Sequence, residues 1–247
     1  MLEIACFDSA SALTAQKACA DRIEFCVDYH AGGITPDFDA LNVIRKQIDI
    51  PVYVMVRPRG GDFVYSEDEF DQMKTDIVAF RPVVNGFVFG ILNSENCVDV
   101  PRNQKLVELA APLPCTFHRA FDQTRDIYGA AQEITRCGFT SILTSGGQSD
   151  AVTGSETVAK LHQQLGGKIT FILGGGVRAS NIKLLVEKAG VDWYHSAAII
   201  AQETSASEKE IQQLQKVLQA ITTTTKEPNL SDRNPQMGSL SQPLSGS

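Results

Sequence analysis

Glu24, Cys26, Arg57, Arg59, His118, Arg119, Asp122 and His195 are the residues whose types and spacing point to chemistry in this chain. They stand at the ends of short apolar runs, where a folded domain brings distant segments together. A carboxylate and an imidazole within reach of one substrate can move protons. Arginines on loops softened by glycine can hold anions and stabilise charge that develops during a reaction. Glu24, His118 and Asp122 are accordingly the expected proton-transfer groups, with Arg57 as a fourth catalytic candidate. Arg59 and Arg119 are expected to bind an anionic group. Each assignment has a structural alternative. Glu24 can pair with an arginine, and His118, Arg119 and Asp122 can form a supporting hydrogen-bond network.

A second signal comes later in the chain. Residues 170–173 form an apolar run that empties into Gly174, Gly175 and Gly176, and residues 193–196 form another that ends at His195, Ser196 and two alanines. Neighbouring strand ends stripped of side chains can aim backbone N–H groups at a phosphate. The three glycines, His195 and Ser196 are therefore read as anion-binding, with the alternative that His195 faces a helix layer.

Placing these residues requires alternating elements. Strand-like runs lie at 2–7, 22–26, 52–57, 86–91, 115–119, 141–144, 170–173 and 193–196, and helical periodicity fills the segments between them. Ser66 followed by Glu69 has the spacing of a helix-starting box, and Thr35-Pro36-Asp37 likewise places a capping residue before an early carboxylate, at the start of a helix over 37–48. Eight such units predict a closed parallel (β/α)8 barrel of the TIM type, whose chemistry sits at the C-terminal strand ends. A doubly wound open sheet is the architectural alternative. Residues 1–222 are read as this single domain. Residues 223–247 turn to Ser, Thr, Pro, Asn and Gly, a composition too poor in apolar surface to offset its ordering entropy, and are read as a flexible tail.

A chain of 247 residues, 43% of them hydrophobic, suits one large core. Its net charge of −7 argues against nucleic acid or an anionic membrane as partner. No apolar signal core or membrane-length run is present, so a cytoplasmic protein is expected. The six cysteines are scattered without a CxxC pair, which argues against a zinc knuckle or a disulfide framework. No dinucleotide fingerprint or outstanding lysine is present at the predicted barrel mouth, so isomerisation or aldol-type cleavage fits this equipment better than hydride transfer or Schiff-base chemistry.

The segments ADRIEFC (20–26), GGITP (32–36), RPRGGDFVYS (57–66), TFHRAFD (116–122), ILTSGG (142–147) and GGGV (174–177) together resemble the CutC family of copper homeostasis proteins. The resemblance implies a cytoplasmic, oligomeric TIM-like barrel, with Cu(I) held by two cysteines near the barrel mouth. Cys26 matches one of them. The other matches Ala5, and the neighbouring Cys6 is displaced by one residue, which turns it to the opposite face of the strand unless a bulge intervenes. Three function classes follow: a copper-handling protein using Cys26 with Cys6 or His118, an enzyme of isomerase or lyase type acting on a small phosphorylated or anionic metabolite, and, ranked last, a binding or scaffold protein on a barrel that has lost its activity. The family's Arg-Asn…Met-Gly segment, expected before the last helix, is matched here only by residues 233–238.

Overall fold

The computed structural model describes residues 1–200 and 203–226. Strands β1 (Leu2–Cys6), β2 (Arg22–Phe25), β3 (Val52–Met55), β4 (Gly86–Phe89), β5 (Cys115–Phe117), β6 (Ser141–Thr144), β7 (Thr170–Leu173) and β8 (Trp193–Ser196) close a parallel barrel in chain order. Around it run helices α1 (Ser9–Lys17), α2 (Phe38–Arg45), α3 (Glu67–Phe80), α4 (Val100–Ala110), α5 (Ile127–Cys137), α6 (Ala151–Leu165), α7 (Ile182–Ala189) and α8 (Glu208–Lys226). This is the expected (β/α)8 architecture, and the open-sheet alternative is excluded by β8 pairing back onto β1. No helix among the described residues is long and apolar enough to cross a membrane.

Alternation along the strands divides the core into two layers. On β2, Ile23 and Phe25 pack outward against the helices, whereas Glu24 faces the barrel interior. Phe87 and Phe89 on β4 do the same around an inward Val88, which packs with Cys26 and Met55 inside the barrel. The interior floor is polar but closed. Arg22 lies between the rings of Tyr53 and Trp193, 4.2 and 4.1 Å from their centroids, and its Nε donates to Glu3 Oε2 at 2.5 Å.

Local signals account for several helix starts. The Ser66 hydroxyl accepts from the Glu69 amide while the Glu69 carboxylate accepts from the Ser66 amide, a reciprocal box that opens α3. The Asp37 carboxylate caps α2 by accepting from the amides of Asp39 and Ala40. One element escaped the sequence reading: a 3-10 turn over Arg119–Gln123, directly after β5, for which His118 is the capping residue. Helix α8 continues to Lys226, four residues past the expected boundary at 222. The remainder of the expected tail, with the Arg-Asn…Met-Gly segment, lies outside the described residues.

Candidate functional site

The strand ends converge on a pocket of about 110 Å³ lined by Glu24, Arg57, His118, Arg119 and His195 together with Ala5, Phe7, Met55, Phe63 and Leu143. Five of the predicted site residues therefore share one cavity. Three or four waters would fill it, at roughly 30 Å³ each, so it suits a small polar group. A wider cavity of about 850 Å³ lies beside it, lined by Asp8, Tyr29, His30 and Arg178, with Phe7 common to both.

Arg57 is the group that gives the pocket its character. The side chain is buried, and its guanidinium donates to the carbonyls of Ala31 (2.8 Å), Gly33 (2.9 Å) and Gly61 (3.1 Å). It pairs with no carboxylate among the described residues, and its Nε lacks a hydrogen-bond partner. A buried cation without a counter-ion is costly. Three carbonyl dipoles offset part of that cost, and an anion entering the pocket would offset more. Arg59, two residues on, is different. It donates to Glu69 at 2.6 Å and Asp62 at 3.0 Å, and lies neutralised on the outer loop. The sequence reading set Arg57 among the catalytic candidates and Arg59 among the anion-binding residues; of the two, the structure brings only Arg57 to the pocket.

Two buried carboxylates, Glu3 and Glu24, have opposite electrostatics. Glu3 is engaged at both oxygens, by Arg22 and by His195 Nδ1 at 2.7 Å. Burial acts to raise its pKa, but the Arg22 charge and the His195 contacts outweigh it and bring the group down to about 2. Glu24 makes only a long contact, its Oε2 lying 3.9 Å from His195 Nδ1, and that oxygen is buried without a hydrogen bond. Burial, reinforced by the Glu3 charge, pushes it up to about 7 against the pull of His195 and Arg22. One carboxylate is thus held ionised at neutral pH, and the other is pushed up toward neutrality, the separation that acid–base sites use. For His195, burial opposes the proton, but the Glu3 hydrogen bond and the two carboxylate charges prevail and raise its pKa. Glu3 was missed by the sequence reading, although strand alternation puts it on the same face as Ala5.

His118 is held in one orientation. Its Nδ1 accepts from the Ala120 amide at 3.3 Å, the capping contact of the 3-10 turn. The ring packs against Phe63, with centroids 4.8 Å apart. Burial, with the Arg57 charge, pushes its pKa down to about 3, so the imidazole is neutral. Gly90 makes room for it: a Cβ there would stand 2.9 Å from His118 Nδ1.

Other predicted residues lie beside the pocket. Asp122 accepts from Thr144 Oγ1 (2.5 Å), the Ser145 amide and hydroxyl (3.0 Å each), the Gly147 amide (3.0 Å) and Arg119 Nε (2.9 Å). Its carboxylate braces the loop after β6 and positions Arg119, which fits the network alternative rather than proton transfer. Gly174 lies against Leu143 and His195 at the rim, where a Cβ would approach Leu143 to 2.7 Å. Gly175 has φ +99 and passes so close to Arg119 that a Cβ would lie 3.4 Å from its guanidinium carbon. The amides of Gly175 and Gly176 make no hydrogen bond among the described residues. Ser196 is less open than expected: its hydroxyl donates to the Val177 carbonyl at 2.7 Å and accepts from the Ala198 amide and Arg178.

The two cysteines face different layers. Cys26 belongs to the interior cluster with Met55, and Cys6 belongs to the outer core among the helices. Strand β1 runs without a bulge against β2, so the one-residue displacement turns Cys6 away. Burial, and for Cys26 the Glu24 charge, push both thiols well above their ordinary pKa. Glu3, Glu24 and His195 present ligand-type atoms within 4.8 Å of one another. This set is dominated by hard oxygen donors, with Glu3 already engaged, and suits Cu(I) poorly.

Comparison with known proteins gives a consistent result. Residues 1–200 match the model of the CutC family. A family protein CutC of Photorhabdus laumondii is 45% identical over 198 residues, covering 80% of this chain and 79% of that protein. A human copper homeostasis protein cutC homolog is 40% identical over 195 residues, covering 78% of this chain and 71% of that protein. The crystal structure of a CutC protein from Streptococcus agalactiae superposes with a TM-score of 0.75 at 29% identity, covering 80% of this chain and 98% of that one.

Proposed function

The chain belongs to the CutC family of copper homeostasis proteins, and from that premise we propose that its working site is the barrel mouth, acting on a small anionic ligand by binding and proton transfer. The observation that carries this reading is Arg57, a buried cation without a carboxylate partner among the described residues, lining the same pocket as Glu24, whose Oε2 has no hydrogen bond. The ligand's anionic group neutralises Arg57. Arg119, which lines the pocket, and the neighbouring Gly175 and Gly176 amides receive a second anionic group such as a phosphate. Glu24 then takes or returns a proton at a group held between them. This is the equipment of an isomerase or lyase.

Direct Cu(I) binding is the second reading, and one observation favours it. The Cys26 thiol and the Met55 thioether pack in one interior cluster, and both are soft donors. Binding there would release the Cys26 proton, which burial and Glu24 hold tightly. Cys6 contributes nothing to it.

Calorimetric titration with inorganic phosphate, on the wild-type chain and on Arg57→Ala, tests the first reading. Saturable binding that weakens at least about tenfold in Arg57→Ala supports it, and binding that is absent or indifferent to Arg57 overturns it. An anaerobic Cu(I) competition titration decides the second. One-to-one binding lost in Cys26→Ser and kept in Cys6→Ser supports copper at Cys26, whereas equal loss in both, or none, removes it.

A further inference from the structure

His118 carries information about the ligand that Arg57 does not. An imidazole nitrogen that accepts a hydrogen bond carries no proton, and His118 Nδ1 accepts from the Ala120 amide. In the neutral ring the proton must then sit on Nε2. That atom is buried, has no hydrogen-bond partner, and belongs to a side chain lining the pocket. The tautomer is set by the backbone: the 3-10 turn that begins at Arg119 presents the Ala120 amide, and Gly90 leaves the ring space to meet it. A buried N–H without an acceptor has a desolvation cost that an oxygen of the ligand removes. Glu24 supplies the complementary half, a buried carboxyl oxygen without a partner on the wall of the same pocket.

We infer that His118 is a fixed Nε2–H donor to a carbonyl oxygen, and that the ligand is a small anionic compound, such as a sugar-like phosphate, with an enolisable carbonyl. This inference rests on the anion-site reading above. The step is a proton abstraction beside a carbonyl. Glu24 carboxylate takes the proton from the carbon next to the C=O, so that a C–H bond breaks and an O–H bond forms on Glu24. The released electron pair becomes a C=C bond, and the carbonyl π pair moves onto oxygen, where the His118 N–H holds the developing charge. Return of the proton from Glu24 to the same carbon regenerates the ligand. Where that carbon carries a hydroxyl, its O–H proton passes to the first oxygen, the second oxygen takes the negative charge, and return of the Glu24 proton to the former carbonyl carbon forms the new C=O, with no oxidant or co-reactant. His118 thereby moves from the sequence reading's proton-transfer set to the role of electrophile. Phe63 and Phe117 pack against its ring and the Arg57 charge acts on it, with Glu24, Arg119 and His195 on the other walls of the pocket.

The test uses the full-length, ¹⁵N-labelled protein and long-range ¹H–¹⁵N spectra of the imidazoles from about pH 5 to about pH 8.5, a range in which an ordinary histidine titrates. The probe is 2-phosphoglycolate, which joins a planar carboxylate, mimicking an enediolate, to a phosphate. The expected result is a His118 ring that stays in the Nε2–H form throughout, with an Nε2 proton that moves downfield when the probe binds. His118→Ala should weaken the probe about tenfold, the loss of one hydrogen bond to a charged group, and His118→Gln, which keeps an N–H at a similar reach, should recover most of it. An Nδ1–H tautomer, a ring that gains a proton within that range, or Arg57-dependent binding that leaves the His118 signals unmoved would each overturn the inference while leaving the anion site standing. If neither phosphate nor 2-phosphoglycolate binds, the anion-site reading fails, and this inference fails with it.

Discussion

Replacing Glu24 with glutamine should change how the stability of this protein depends on pH. The folded chain holds the Glu24 proton up to about pH 7, against an ordinary value of 4.5, because the carboxyl is buried beside the Glu3 charge. Between those values the folded state binds a proton that the unfolded chain has released. Glu24 therefore contributes most below its unfolded value, and that contribution is lost as pH rises through 7. The gap corresponds to about 3 kcal/mol in full, and about 2–3 kcal/mol of it falls between pH 5 and pH 8.5. Around the carboxyl, Glu3 stays ionised over this range, and the His195 and Arg22 charges favour the Glu24 carboxylate without outweighing burial. Glutamine has no proton to lose and a similar shape. Urea unfolding of the wild type and Glu24→Gln at the two pH values gives the double difference directly. We expect the variant to gain about 2–3 kcal/mol relative to wild type on going from pH 5 to pH 8.5. A relative stability that stays constant to within about 0.5 kcal/mol would falsify the argument, since it would mean that the ionised carboxylate finds solvent or a partner in the folded state.

Asp122→Asn should lower stability by about 2–3 kcal/mol, since it removes acceptors from a carboxylate that ties Thr144, Ser145, Gly147 and Arg119 together. Scanning calorimetry should read this as a fall in Tm of roughly 5–10 °C, and an unchanged Tm would return Asp122 to the list of proton-transfer candidates. Gly90→Ala should displace the His118 ring, because the new Cβ would begin 2.9 Å from its Nδ1. Binding of 2-phosphoglycolate should then weaken about tenfold with the loss of the His118 contact. Unchanged His118 nitrogen shifts in that variant would show that the close approach does not position the ring.

The eight-unit barrel was legible because strand and helix periodicities are local, and the spacing of alternating runs determines the order in which they close. The polar ring was legible for the same reason: residues just past a strand end stand at one mouth whatever their chemistry. Even the opposition of Cys6 and Cys26 followed from counting residues along β1. The chemistry of each side chain was a different matter, because it depends on groups remote in sequence. Arg57 and Arg59 sit in one loop with the same local surroundings, yet Arg59 folds back onto Glu69 whereas Arg57 turns under the carbonyls of Ala31 and Gly33. Glu24 Oε2 stays without a hydrogen bond, 3.9 Å from His195 Nδ1, because Arg22 and His195 both bond to Glu3, and the His195 contact joins the first strand of the barrel to the last. His118 has its tautomer set by a 3-10 turn that no periodicity announces. Alternation and composition determined where the site lies. Desolvation and the choice of hydrogen-bond partner, which exist only once the barrel has closed, decided which of its residues remain free to act.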